Sequence, residues 1–218
     1  MNQRVKKISQ FVHEYLLKTG SEHSGEPWGP EYRWEHTIRV TYWSLLLAKE
    51  ENADTEQCVA ASLFHDVSHF DCEDYHTHGI RSAEIAQDFL VKEGYLDEFV
   101  EAVVYTVRSH VGEKNPHTVE AKILQDADTL DRFGYIRILL FGKKADLLSL
   151  EKLQEDVTSF KEYIEKVERG DYGYMWTETG KNEIEKLITL YKTILSGILQ
   201  EIERTHLLDV IGNPRTWP

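Results

Sequence analysis

Cysteine is nearly absent: Cys58 and Cys72 are the only two in 218 residues. That rules out a disulfide framework, and no paired CxxC pattern offers a structural zinc site. Both thiols read as reduced bystanders. Long apolar runs are missing too, none approaching the roughly 20 residues that cross a bilayer. The opening MNQRVKKISQFVHEYLL has neither an apolar h-region nor a small-residue cleavage site. The expectation is a soluble, cytoplasmic chain with no membrane partner. Positive charge is in deficit, with 25 Lys and Arg against 38 Asp and Glu and a net charge of -13. Such a surface repels long nucleic acid and anionic membranes, which leaves a small ligand as the natural partner. Neither a GxSxG elbow nor a P-loop is found, so those two routes to hydrolysis are excluded.

What is present is helical periodicity. At 41% hydrophobic residues the chain can bury one substantial core, and the expectation is a single all-α domain over 1–218. Val5, Ile8, Phe11, Val12, Tyr15 and Leu16 recur at three- and four-residue steps and predict a helix over about 4–18. Gly and Pro in GSEHSGEPWGPEYRW interrupt it. A helix from His36 through Glu51 and another ending at His65-Asp66 follow. VSHFDCEDYHTHG reads as a polar loop, and Ile80 to Gly94, Leu96 to Val111 and Glu120 to Lys144 as three more helices. Beyond Leu147 the chain is charged and amphipathic, interrupted at RGDYGYMW, with a last helix over about 176–206. No alternating β pattern, repeat or low-complexity tract occurs.

Chemistry concentrates at three places. His65 and Asp66 are adjacent at the end of an apolar stretch, His36 lies upstream in WEHTIRV, and QDADTLD downstream offers Asp126, Asp128 and Asp131. Imidazole and carboxylate together form the mixed N/O donor set of a hydrolytic divalent metal site. The residues alone do not choose among the three aspartates.

The pattern resembles the HD-domain superfamily of metal-dependent phosphohydrolases: an isolated His, an adjacent His-Asp pair, and a later Asp. His36 in HTIRV, LFHDV at 63–67 and ILQDADTLDRFG at 123–134 match in order, over roughly residues 30–145. The resemblance implies an HD-like helical bundle with additional C-terminal helices over about 146–218. It makes His36, His65, Asp66 and Asp128 metal ligands, Asp128 being the Asp that follows the small Ala127. His78 and His110 resemble the extra histidines of members with two metals, in which Asp66 would bridge. The alternative keeps them as polar neighbours of a single metal.

The cofactor expected is one or two divalent transition metals per chain, drawn from Mn, Fe, Co, Ni or Zn. The expected reaction is cleavage of a phosphoester or phosphoanhydride of a small phosphorylated molecule, such as a nucleotide, by a metal-activated hydroxide, with Asp66 in the catalytic set. Arg39, three residues past His36, and Arg132, four past Asp128, are the cations favoured to meet the phosphate. Arg108, Arg137, Lys143 and Lys144 are lesser choices. The aromatic stretch from Trp28 to Trp34 and YGYMW at 172–176 could stack a base. Two further readings stay open: a di-iron oxygenase of the same superfamily, and a non-catalytic nucleotide-binding module. The C-terminal helices are expected to complete the core, and the chain to be a monomer or homodimer.

Overall fold

A computed structural model describes residues 3–72, 74, 77–136, 150–170 and 175–211, the side chains of 150, 151 and 204–211 apart. Every regular element among them is helical. Helix α1 (Gln3–Thr19) buries Val5, Ile8, Val12 and Leu16, the stripe that the periodicity predicts. A single 3-10 turn (Ser21–His23) leads to α2 (Pro30–Glu50). This helix starts before His36, because Gly29 takes the extended N-cap position and Pro30, which has no N–H to lose, occupies the first turn. His36 therefore stands inside the helix, not at its beginning as expected.

Helix α3 (Thr55–Phe64) starts at Asp54, whose carboxylate accepts from the Gln57 N–H at 2.9 Å. It is short and buried over most of its length, with Cys58, Ala60, Ala61, Leu63 and Phe64 in the core. Such a helix belongs at the centre, and α3 meets α1, α2, α4 (His78–Lys92), α5 (Asp97–Ser109) and α6 (Val119–Arg132). Helix α4 ends with Gly94 at φ +73°, where the Tyr95 N–H reaches the Leu90 carbonyl. Helix α6 stops at Arg132, ahead of the expected Lys144, with Gly134 two residues on; 137–149 lie outside the described residues.

Helices α7 (Leu150–Glu168) and α8 (Glu178–Ile211) follow among the described residues. Two compact units result: Met1–Arg132 together with Met175–Lys181, and Phe133–Tyr174 together with Asn182–Pro218. The second has its own core, in which the Phe133 ring lies against Tyr163 and Tyr191 at 5.7 and 6.0 Å. Among the described residues no helix is long and apolar enough to cross a membrane.

Candidate metal centre

All six residues expected as ligands lie in the first unit. His36 projects from α2, His65 caps the C-terminal end of α3, and Asp66 follows it. His78 opens α4, His110 caps α5, and Asp128 sits on α6. Five helices thus deliver one cluster. Its organiser is Asp66, whose two oxygens face different groups. Oδ2 lies 3.4 Å from His36 Nε2 and 3.5 Å from His65 Nε2, whereas Oδ1 lies 2.9 Å from His78 Nε2 and 3.6 Å from His110 Nε2. Two half-sites share that carboxylate: His36, His65 and Asp66, and then Asp66, His78 and His110. Asp128 joins the first through Oδ1, 3.4 Å from His36 Nε2.

The far sides of the rings are held. Val107 O accepts from His110 Nδ1 and Ser62 O from His65 Nδ1, the latter at 2.7 Å, while His36 Nδ1 meets Asp131 Oδ2 at 2.8 Å. A proton committed to Nδ1 leaves Nε2 as the inward-facing lone pair, the orientation that imidazole needs to bind a metal. Two such nitrogens approach at 3.3 Å in His36–His65 and at 3.1 Å in His78–His110. Converging lone pairs backed by carboxylates, all in buried or half-buried positions, are a donor set that fits one or two divalent cations.

The electrostatics agree. Burial favours the neutral ring of His36, but hydrogen bonds to Asp128, Asp131 and Asp66 outweigh it and hold this histidine well above its usual range. The anionic field that keeps a proton there is the field a cation would neutralise. His65, fully buried, is pushed down to about 4 and stays neutral. Asp66 and Asp128 are held well below the carboxylate range despite burial, the first by His65 and Arg33, the second by Arg132 and His36.

Arg39 and Arg132 are drawn to the carboxylates of the site. Arg39 grips Asp131 through Nε at 2.7 Å and Nη2 at 3.2 Å, and Arg132 Nη2 meets Asp128 Oδ2 at 2.6 Å. Asp131 supports His36 from behind. Its substitution Asp131→Asn should weaken metal binding by about 10- to 100-fold, the usual cost of removing a carboxylate that orients a ligating imidazole; calorimetric titration with Mn2+ checks this. Gly79 matters for close packing: a Cβ there would stand 3.2 Å from the His110 ring.

Arg33, passed over in the sequence, and His69, which lies in the polar loop VSHFDCEDYHTHG, also stand at the site. Arg33 Nη1 contacts Asp66 Oδ2 at 2.5 Å, and its Nη2 lies 3.0 Å from His69 Nε2. Burial and Arg33 push His69 down to about 4. The signal was available, since Arg33 precedes His36 by three residues and shares its helix face. Of the aromatics, Trp28 stands half-exposed edge-on to Tyr32 at 4.6 Å, whereas the Trp176 indole is tied to Gln125 Oε1 at 2.8 Å. Tyr172 and Tyr174, with Arg137, Lys143 and Lys144, lie outside the described residues.

Residues 33–132, which include all six residues expected as ligands, match the family model of the HD domain. Ribonuclease Y of Clostridium perfringens is 31% identical over 135 residues, 61% of this chain and 24% of that protein. The chain thus spans about a quarter of that relative's length. A predicted HD superfamily hydrolase from an uncultured Thermotogales bacterium superposes with a TM-score of 0.62 at 23% identity, covering 88% of this chain and 91% of that one. YpgQ of Bacillus subtilis, solved in complex with ADP, superposes at 0.55 with 23% identity over 92% and 97% of the two chains. The shared feature is the fold of HD superfamily hydrolases.

Proposed function

We propose that this protein is a metal-dependent phosphohydrolase acting on a small phosphorylated molecule, with a nucleotide the first class to test. The observation that carries the reading is Asp66, one carboxylate placed between two converging sets of imidazole nitrogens. A divalent ion held there supplies Lewis acidity toward a phosphoryl oxygen and makes hydroxide accessible near neutral pH. The chain's own residues prepare that chemistry. His65 and His110 are oriented by backbone carbonyls and His36 by Asp131, so the ligand rings need no reorganisation. Arg33, Arg39 and Arg132 bring three fixed positive charges beside the site, which offsets the repulsion a net charge of -13 would impose on a phosphate.

The likeness to Ribonuclease Y supports phosphoester chemistry, the acidic surface favours a small substrate over a polymer, and the ADP complex of YpgQ supports a nucleotide. The six-ligand arrangement also favours, as a second reading, a di-iron oxygenase. One experiment separates them: element-resolved metal content of protein purified without chelator or metal column, followed by phosphate release from a nucleotide panel with Mn2+ added. Two irons per chain with oxygen uptake and no phosphate release would replace the first reading with the second. Phosphate release that chelator abolishes would support the first.

A further inference from the structure

We infer that Arg33 exchanges anions: it neutralises Asp66 until a divalent cation takes that carboxylate, and then grips the phosphoryl oxygens of the substrate. The inference rests on the phosphohydrolase reading. The Arg33 side chain is only 15% exposed; its guanidinium touches Asp66 Oδ2 and His69 Nε2 and meets no acceptor at its buried Nε among the described residues. A guanidinium is the side-chain cation suited to bidentate pairing with carboxylate or phosphate. Asp66 Oδ2 is also the oxygen that faces His36 and His65. A cation in that half-site and the guanidinium therefore compete for one oxygen.

Once the cation takes its share, Arg33 is a buried charge with a weakened counter-ion, a costly state until another anion arrives. A phosphoryl group drawn to the same cation brings two oxygens that match the planar N–H fork. Arg39 is not placed for this exchange. Its partner Asp131 stands behind His36 at Nδ1, so a cation at Nε2 leaves that ion pair intact. Arg132 bonds Asp128 from a half-exposed position, where its charge is partly screened by water. Arg33 alone combines burial, contact with the shared carboxylate and an unmatched N–H.

The test is calorimetry on the full chain, stripped of metal and titrated with Mn2+, then with inorganic phosphate on the Mn2+-loaded protein. For Arg33→Gln the two affinities should separate. Mn2+ binding should be at least as tight as in the wild type, because a competing cation is gone, while phosphate affinity should fall by about tenfold or more, as for loss of a charge-assisted bidentate contact. Arg33→Lys, which keeps a point charge without the fork, should fall between. A loss of both affinities together would overturn the inference, making Arg33 a residue that merely positions Asp66; unchanged phosphate affinity would overturn it as well. Melting of the metal-free variants verifies folding, and if Arg33→Gln does not fold, Arg33→Lys carries the test with the same two readouts. A protein that binds phosphate through Arg33 yet hydrolyses no phosphoester would sink the phosphohydrolase reading alone.

Discussion

Asp66→Asn is expected to leave a folded protein with almost no bound metal and no metal-dependent hydrolysis. The substitution keeps the shape of the side chain, so the core around it need not repack. It removes the negative charge that both half-sites share and turns one of two acceptor oxygens into an NH2 donor. Whichever way the amide lies, one half-site then faces N–H groups where it had a ligand oxygen. Because Oδ1 and Oδ2 serve different histidine pairs, both affinities should drop, by more than the roughly 10- to 100-fold typical of losing only an orienting partner. His78→Ala gives the contrast: its ring reaches only the second group, so a two-metal protein should retain one. Element analysis of the two variants beside wild type decides the matter. Retention of two metals by Asp66→Asn would refute the shared-carboxylate arrangement.

Local signals in the sequence account for much of this centre. His65 and Asp66 are neighbours at a helix end, so their pairing is written in the chain, and the apolar stripe of α1 follows from residue spacing. What the sequence conceals is which helix faces which. Asp131 and His36 are 95 residues apart, and only the packing of α2 against α6 sets that carboxylate behind the imidazole. Arg39 shares a helix face with His36, a relation that spacing shows, but its partner Asp131 belongs to another helix, and spacing does not reveal that pairing. The start of α2 shows a different limit. Gly29-Pro30 reads equally well as the end of a loop or as a cap and first turn, and the structure chooses the second.

Asp126 shows the same limit most clearly, and it leads to the second large effect. Spacing does not separate it from Asp128 and Asp131, yet it is fully buried and accepts three hydrogen bonds from residues about fifty positions later. Oδ1 accepts from the Trp176 N–H at 2.8 Å, and Oδ2 from the Thr177 N–H at 2.8 Å and hydroxyl at 2.7 Å. These donors stand at the start of α8, where the orphan N–H groups of a helix favour a carboxylate. Gly180 completes the fit, since a Cβ there would stand 2.6 Å from Asp126 Oδ2. Asp126→Ala would leave buried donors unmet and a small void, for a loss of about 2–4 kcal/mol and a fall in Tm of roughly 5–12 °C. Thermal melts in chelator, which remove any contribution from metal, measure it; a shift under about 2 °C would show that the clip carries no stability.

The pH dependence has a definite sign. Burial raises the Asp126 carboxyl to about 6, and the Trp176 and Thr177 donors offset this only in part. Its folded value therefore lies above its unfolded value near 3.8. The contribution of this group is then greatest below about pH 4 and declines as pH rises to about 6, by at most about 3 kcal/mol, because the unfolded chain ionises first. Denaturant unfolding at about pH 4.5 and 7.5 should accordingly show a wider gap between wild type and Asp126→Ala at the lower pH. A gap that widened instead at the higher pH would mean that the three donors hold the carboxylate more strongly than burial opposes it, and that the clip is fastened by a charge, not in spite of one.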